Sequence, residues 1–120
     1  MNLINRGEIY SADFGKTVGS EQKGIRPVVI VQNNMGNIYS ATTIVAAITS
    51  RLKSNMPTHV HIENESLPKK SVILAEQLRT IDKSRLLERI GLLDEQEMIE
   101  LNNALSVSVG VMESERKTDE

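Results

Sequence analysis

Apolar and polar positions divide the first half of the chain into short strands. Residues 8–14 mix apolar with small and polar side chains, which predicts a first strand. Residues 28–31 are β-branched and apolar on both faces, so they predict a buried strand, and residues 42–49 predict a third strand of similar composition. Between the last two, residues 33–37 are rich in Asn and Gly, a composition typical of a turn.

The middle of the chain shows strict alternation followed by a less regular pattern. Residues 59–63 alternate between polar and apolar side chains, which predicts a half-buried strand with Val60 and Ile62 directed inward. Residues 71–74 predict another short buried strand. Residues 82–93 fit both a helical and a strand period, and we interpret them as a turn followed by a strand.

A helical period begins at Asp94. This residue is a predicted N-cap, and Glu97 is its capping-box partner three positions later. The apolar side chains that follow fall on one helical stripe, formed by Met98, Leu101, Leu105, Val109 and Met112. The pattern predicts an amphipathic helix that packs either on the sheet or across a dimer seam.

Together these elements predict a mainly β protein. Five or six short strands with one terminal helix indicate a small, strongly curved antiparallel sheet or a partial barrel. A chain of 120 residues is long enough to build one core. We expect a single domain over residues 1–112 and a charged, disordered tail over residues 113–120.

Composition and charge narrow the location and the chemistry. The absence of cysteine excludes disulfides, thiolate metal sites and a cysteine nucleophile. The chain shows neither a signal-peptide pattern nor an apolar run long enough to cross a bilayer, so we expect a cytoplasmic protein. The net charge of −2 counts against a general nucleic-acid binder, because such proteins neutralise phosphates with Lys and Arg. Any contact with a polyanion is therefore expected to be local.

The glycine-bearing loop over residues 15–24 is the most informative polar segment. Within it, Gly19, Ser20, Glu21 and Gln22 supply flexible backbone amides, a hydroxyl, a carboxylate and an amide. This set of groups is suited to binding a phosphate or a sugar. Most loops of such composition are nevertheless only surface connections.

Two further candidates lie at predicted strand ends. Pro27 disfavours a helical backbone at Arg26, so we expect this arginine to lie extended at the rim of the sheet. The alternative is an exposed arginine that pairs with a surface carboxylate. Thr49 and Ser50 follow an apolar run, so their hydroxyls are expected to emerge at a strand end, although threonine is also a common strand filler.

Two other polar groups stand out. His59, His61 and Glu63 lie on one face of their predicted strand and could be drawn as a metal site. The chain has no other histidine and no cysteine to complete such a site, so we interpret the three as a solvent face and expect no metal. Residues 76–80 leave a strand as a polar segment, which is either a rim that contacts bases or a simple turn.

Several ordered blocks of sequence form a recognisable signature. Three of them are Arg6-Gly7-Glu8-Ile9-Tyr10, Gly19-Ser20-Glu21-Gln22 and Gly24-Ile25-Arg26-Pro27-Val28-Val29. Others follow in order, among them Val31-Gln32-Asn33, Ile44-Val45-Ala46-Ala47-Ile48-Thr49, Ser71-Val72-Ile73-Leu74 and Glu76-Gln77-Leu78-Arg79-Thr80. From about Arg6 to Gly110 the chain resembles the MazF/PemK-type toxins of type II toxin-antitoxin systems, in their Gram-positive branch. It departs from that pattern at Phe14-Gly15-Lys16, at Ser40-Ala41-Thr42 and at His61; none of these changes removes a catalytic group, and the first borders the loop expected to contact RNA.

The resemblance implies a fold and an activity. The fold is an SH3-like (MazF/CcdB-type) β-barrel of five to seven strands with a C-terminal α-helix. The activity is sequence-specific cleavage of single-stranded RNA by a homodimer, with no metal or other cofactor, leaving 2′,3′-cyclic phosphate and 5′-hydroxyl ends. Translation would be inhibited until a MazE-type antitoxin neutralises the toxin. The branch suggests a U-A-C-A-U-type site.

The resemblance also assigns residues. The catalytic arginine falls on Arg26 and the catalytic threonine on Thr49, while Glu21 matches a loop glutamate and is the ordinary candidate for the general base. Contacts to RNA are expected from Phe14, Gly19, Ser20, Gln22, Ser50, Glu76, Gln77 and Arg79. The rings of Phe14 and Tyr39 either stack on bases or belong to the core.

Two alternatives remain open on the same scaffold. One is a non-catalytic toxin that acts on DNA gyrase, although relatives of that kind carry a tryptophan near the C-terminus and this chain has none. The other is a plain RNA-binding barrel without catalysis. Incubation with a long RNA separates the two RNA readings, because only an enzyme leaves discrete 5′-hydroxyl fragments.

Overall fold

A computed structural model of the protein describes residues 3–15, 24–51 and 55–113. Within these ranges the strands are β1 (Glu8–Asp13), β2 (Ile25–Ile30), β3 (Thr42–Thr49), β4 (His59–Ile62), β5 (Ser71–Asp82) and β6 (Leu86–Leu92). The helices are α1 (Asn34–Tyr39) and α2 (Glu95–Ser108), and a 3₁₀ turn spans Lys83–Arg85. Apart from Glu113, the predicted tail lies outside the described residues.

The six strands form one antiparallel sheet in the order β4-β5-β3-β2-β1-β6. This sheet and the C-terminal helix confirm the predicted mainly β class. β3 occupies the predicted residues 42–49, and Val60 and Ile62 of β4 point inward as expected, each 3% exposed. The ambiguous segment 82–93 is a 3₁₀ turn followed by β6, so that interpretation is also confirmed.

Both faces of the central strands are buried, which explains the continuous apolar run of β2. Val29 belongs to a core cluster with Ile9 of β1 and Leu101 of α2. Val28 and Ile30 belong to a second cluster. Because successive side chains of a strand point to opposite faces, a polar residue at any of these β2 positions would interrupt one of the two clusters.

Helix α2 begins as predicted and ends earlier than its apolar pattern suggested. Asp94 accepts a hydrogen bond from the N–H of Glu97 at 2.8 Å, and the Glu97 carboxylate accepts one from the N–H of Asp94 at 2.9 Å. Leu101 is fully buried, and α2 packs on strands β4 and β5, which is the first of its two predicted positions. Val109 and Met112 follow the last helical residue and are 61% and 38% exposed, so their predicted place on the stripe is wrong. No helix among the described residues is long and apolar enough to span a membrane.

The segment predicted as a turn at residues 33–37 instead begins helix α1. Asn33 is its N-cap, and its side-chain oxygen accepts a hydrogen bond from the N–H of Gly36 at 2.7 Å. Asn37 is buried, and its side-chain oxygen accepts a hydrogen bond from the Thr43 hydroxyl at 2.8 Å. The asparagines therefore serve as a helix cap and a buried polar anchor, roles that favour the residue as strongly as a turn does.

Strand β5 is longer than predicted and contains a bulge. Residues 76–80 lie within it, so their interpretation as a turn is wrong. In the register with β3, Ala46 faces Leu78 while Ala47 faces Leu74, which leaves three extra residues of β5 between these pairs. A bulge of this kind bends a strand and redirects its side chains, and bulges are frequent beside active sites.

Candidate active site

The start of β2 lies beside the end of β3, and this brings the two predicted catalytic residues together. Val28 faces Ala47 in the antiparallel register of these strands. Continuing that register by two residues places Arg26 opposite Thr49. Both residues line one cavity. The structure thus brings the pair together at one cavity, and their catalytic roles stay predictions.

The cavity has a volume of about 640 Å³, within the range typical of ligand sites. Four of its lining residues were predicted from the sequence: Arg26, Thr49, Ser50 and Gln77. The other described lining residues are Pro27, Ile48, Arg51, Leu67, Pro68, Lys69, Ser71 and Leu74. This described lining contains three cationic side chains and no carboxylate, so the cavity favours an anion.

The hydroxyl of Thr49 has a defined orientation. Its oxygen accepts a hydrogen bond from the main-chain N–H of Arg51 at 3.1 Å. A hydroxyl carries one hydrogen and two acceptor lone pairs, so this contact uses a lone pair and leaves the hydrogen able to donate. Thr49 can therefore offer a hydrogen bond to an anionic oxygen held in the cavity beside Arg26.

The β5 bulge divides the predicted polar rim between two places. Gln77 lies among the extra residues of the bulge and lines the cavity. Glu76 precedes it and does not line the cavity; its carboxylate accepts a hydrogen bond from the Thr58 hydroxyl at 2.7 Å. Because neighbouring residues of an extended chain face opposite ways, only one of the two is available to a ligand at this cavity.

Comparisons with known proteins identify the family. A model of the PemK-like, MazF-like toxins of type II toxin-antitoxin systems matches residues 5–109. The chain belongs to this family. It is similar to the endoribonuclease MazF of Staphylococcus epidermidis, with 54% identity over 112 residues that cover 91% of this chain and 93% of the relative. Its identity to the endoribonuclease MazF of Staphylococcus saprophyticus is also 54%, with the same coverage.

A solved structure of a similar protein shares the fold. It is a mycobacterial endoribonuclease in complex with its cognate antitoxin, 27% identical to this chain. The two superpose with a TM-score of 0.78 over 91% of this chain and 97% of the other. The predicted membership of the MazF/PemK family and the predicted barrel-like architecture are therefore confirmed.

The family's loop residues fall in a part of the chain that is not described. Gly19, Ser20, Glu21 and Gln22 lie between residues 15 and 24, outside the described ranges. The two ends of that segment are described, and they are joined by main-chain hydrogen bonds: Phe14 N–H to Gly24 O at 2.9 Å, and Gly24 N–H to Gly15 O at 2.9 Å. The two ends of the loop therefore lie side by side, and the chain rejoins the sheet two residues before Arg26.

Phe14 and Arg79 contact each other rather than the cavity. The Phe14 ring is 4% exposed and belongs to a core cluster, so of its two predicted roles the core role is the observed one. The guanidinium carbon of Arg79 lies 4.6 Å from the centre of that ring, a cation-π contact. A buried ring covered by a guanidinium cannot stack on a base, so the predicted RNA contact of Phe14 is revised. Tyr39, by contrast, is 79% exposed.

Glu76 of β5 and His59 of the neighbouring strand β4 form a polar contact. The His59 Nε2 atom lies 3.0 Å from the Glu76 carboxylate, and the His59 side chain is only 4% exposed. Burial raises the pKa of Glu76, but hydrogen bonds from Thr58, the main chain and His59 outweigh it, so the net pKa lies below its usual value of 4.5. The prediction that His59 faces solvent is therefore wrong. It relied on the alternation of inward and outward side chains along β4 and took no account of Glu76 on the neighbouring strand.

The other two residues of the rejected metal pattern behave as expected. His61 and Glu63 are exposed, and the Glu63 carboxylate lies 3.5 Å from Lys70 Nζ. Over the described parts of the chain, no three histidine or acidic side chains come together as metal ligands would.

Three polar lining residues are not among the predicted site residues: Arg51, Lys69 and Ser71. Arg51 lies two residues beyond Thr49, and Ser71 begins β5. Thr49 faces Val72 in the β3–β5 register, which brings these strand ends together. Only the pairing of β3 with β5 reveals this, since 21 residues lie between Thr49 and Ser71 along the chain and nothing in either segment specifies its neighbour.

Proposed function

We propose that the cavity between Arg26 and Thr49 is where this protein cleaves single-stranded RNA. The protein is an endoribonuclease toxin of a type II toxin-antitoxin system, since relatives with 54% identity over nearly their whole length are MazF endoribonucleases. One observation supports this site above all: the guanidinium-bearing strand end lies opposite the hydroxyl-bearing one in a cavity whose described lining is cationic.

The proposed reaction is an internal transesterification. The ribose 2′-oxygen bonds to the adjacent phosphorus, the bond from phosphorus to the 5′-oxygen breaks, and the 5′-oxygen takes up a proton. The products are a 2′,3′-cyclic phosphate and a 5′-hydroxyl. Because nucleophile and phosphorus belong to the same strand, holding that strand in an in-line geometry supplies much of the rate enhancement.

Arg26 stabilises the charge that builds on the phosphoryl oxygens. Its guanidinium stays protonated at any working pH and can bond two oxygens at once. Thr49 donates its hydroxyl hydrogen to a further phosphoryl oxygen, an arrangement supported by the Arg51 N–H that already occupies one of its lone pairs. Donors fixed in this way act on the transition state without reorganising.

Proton transfer needs a group outside the described lining, which contains no histidine or carboxylate. We propose Glu21 as the general base that removes the 2′-hydroxyl proton. It belongs to the loop whose ends meet two residues before Arg26, which supports its proximity to the cavity. The reaction as proposed requires no metal ion.

Partners follow from the family and the charge of the site. The similar mycobacterial endoribonuclease was solved with its cognate antitoxin, and we propose that a MazE-type antitoxin neutralises this toxin by covering the same cavity. We further propose that the toxin is a homodimer and acts in the cytoplasm, where its RNA substrate lies and where a cysteine-free chain needs no oxidising environment.

Cleavage of a defined transcript by the Arg26→Ala variant tests the proposal. We expect single-turnover cleavage to fall by about 10²-fold or more, the usual consequence of losing one electrostatic contact to a transition state. Lys70→Ala is the matched control, because Lys70 contacts Glu63 and does not line the cavity. Unchanged cleavage by Arg26→Ala would refute the assignment of the site.

The same transcript tests the chemistry. The new 5′ ends should accept phosphate from polynucleotide kinase without prior dephosphorylation, and cleavage should persist in excess EDTA. Loss of cleavage in EDTA would contradict the metal-independent reaction. If the wild-type protein instead leaves RNA intact and inhibits DNA gyrase supercoiling, the endoribonuclease proposal fails in favour of the gyrase toxin.

A further inference from the structure

Two cationic side chains of the cavity have no part in the proposed chemistry. Arg51 and Lys69 line the cavity together with Arg26. Both are exposed, and neither forms an ion pair with a carboxylate of the described residues. Three positive charges therefore face one space in a protein whose net charge is −2. Such a local concentration of charge attracts a polyanion even when the whole protein is weakly acidic.

Hydrogen bonds fix the main chain beneath both cations. The N–H of Arg51 donates to the Thr49 hydroxyl at 3.1 Å. The hydroxyl of Ser71, a buried residue, donates to the carbonyl oxygen of Lys69 at 3.0 Å. Since Thr49 faces Val72 across the strands, the two cations lie at the same end of adjacent strands. Hydrogen bonds therefore hold the main chain of both residues next to the ends of β3 and β5.

We propose that Arg51 and Lys69 bind the phosphates next to the cleaved one and so hold the RNA strand along the cavity. This inference rests on the proposed function. A strand that places one phosphate at Arg26 brings its neighbouring phosphates into the same region, and grooves that bind single strands track the backbone with positive charge. Contacts to phosphate position a strand without reading its bases. Arg51 and Lys69 would then strengthen binding equally for every sequence that the toxin cuts.

Lys70 provides a matched control from the same segment. It carries the same charge as Lys69 and is the next residue in the chain, but its Nζ lies 3.5 Å from the Glu63 carboxylate. It borders a separate cavity and not that of Arg26. Arg51 borders both cavities, so the comparison of Lys69 with Lys70 is the cleaner of the two.

The experiment measures how salt weakens RNA binding. The probe is a short single-stranded RNA containing the mapped cut site, with hydrogen in place of the 2′-hydroxyl at the cut position, and its affinity is measured by fluorescence anisotropy from about 50 to 400 mM KCl. Each phosphate contact to a single strand contributes about 0.7 to the slope of log affinity against log salt. We expect the slope to become shallower by about 0.7 for Lys69→Gln and by about 1.4 for the double variant with Arg51→Gln.

The controls separate charge from other effects. Lys70→Gln should keep the wild-type slope, and the charge-preserving variants Lys69→Arg and Arg51→Lys should nearly restore it. The affinity loss should be the same for two probes that differ only outside the cut site. In cleavage assays, the Gln variants should raise KM more than they lower kcat, whereas Arg26→Ala should act mainly on kcat.

Two outcomes would overturn the inference. One is a double variant whose salt slope equals that of Lys70→Gln. The other is a loss confined to one probe sequence, which would indicate base contacts instead of phosphate contacts. If either result is obtained and Arg26→Ala still loses cleavage as expected, only this inference fails and the proposed function stands. A wild-type protein that does not cleave RNA would overturn the proposed function itself.

Discussion

Replacing the Thr49 hydroxyl tests the catalytic arrangement most directly. Thr49→Val keeps the branched shape of the side chain but removes both functions of the hydroxyl, which are acceptance of the Arg51 N–H and donation toward the phosphoryl oxygen. Thr49→Ser keeps the hydroxyl and removes only a methyl group. The two variants therefore separate hydrogen bonding from packing at one position.

The expected magnitudes follow from the surroundings of Thr49. The cavity is open and Arg51 is exposed, so in Thr49→Val water can replace the lost partner of the Arg51 N–H, and stability should fall by less than about 1 kcal/mol. Catalysis should lose about 10²-fold, near the lower end of the effect of deleting one preorganised donor, because that donor acts in a partly hydrated site. Thr49→Ser keeps the hydroxyl donor, so its cleavage rate should remain within about 10-fold of the wild type. That limit corresponds to a change of about 1.4 kcal/mol in the activation free energy.

Single-turnover cleavage of a fluorescent RNA with enzyme in excess measures the chemical step, and a urea melt of each variant checks the fold. Thr80→Val is a suitable control, because it changes an exposed threonine of β5 that does not line the cavity. Cleavage by Thr49→Val within about threefold of the wild type would contradict the catalytic role given to the hydroxyl. A serine variant as inactive as the valine variant would also contradict that role.

The remaining predictions concern stability. Glu76→Gln should cost about 1 kcal/mol at pH 7, because the carboxylate accepts charge-assisted hydrogen bonds, while the exposed Glu63→Gln should cost less. Since the folded pKa of Glu76 is lowered, its contribution is present above the usual pKa of 4.5 and is lost as pH falls through the folded value, so the urea midpoints of the wild type and of Glu76→Gln should approach each other as the pH is lowered past 4.5. Asn37→Ala should lower the free energy of unfolding by about 2–4 kcal/mol in the same melts, because it leaves the buried Thr43 hydroxyl without its acceptor. Asn102 is exposed, so Asn102→Ala should change the free energy of unfolding by less than about 0.5 kcal/mol. Equal melting of these two asparagine variants would contradict the role given to Asn37.

Local patterns in the sequence were sufficient for most of the fold. The bounds of β3, the inward side chains of β4 and the capping box of α2 each depend on residues within one short window. Helix α1 was missed for the same reason, since residues 33–37 are turn formers and give no sign of Thr43, which lies outside that window on β3 and donates a hydrogen bond to Asn37. A buried hydrogen bond between separate elements has no periodicity and leaves no local signal.

The residues of the candidate site also differ in whether a local pattern could predict them. Arg26 and Thr49 became candidates because each lies at one end of an apolar strand, a property of its own segment, and the resemblance to the MazF/PemK family then assigned their catalytic roles. Gln77 was named together with Glu76, and the bulge that places only Gln77 at the cavity arises from the register of two strands. Arg51 also depends on pairing, since it approaches the start of β5 only because β3 lies beside that strand. A single sequence does not specify which distant strands pair or in which register.

A net charge of −2 is compatible with local binding of a polyanion for a physical reason. Electrostatic attraction between exposed groups decays over a Debye length of about 10 Å at 0.1 M salt, so a bound strand senses the charges lining its own cavity more than the sum over the chain. The described lining carries three cations and no acid, although the chain as a whole carries −2. Three phosphate contacts to a single strand give a salt slope of about −2, far shallower than that of proteins that neutralise many phosphates. The toxin would thus hold a short piece of RNA firmly at the cut site without binding nucleic acid in general, as an enzyme that must release two products requires.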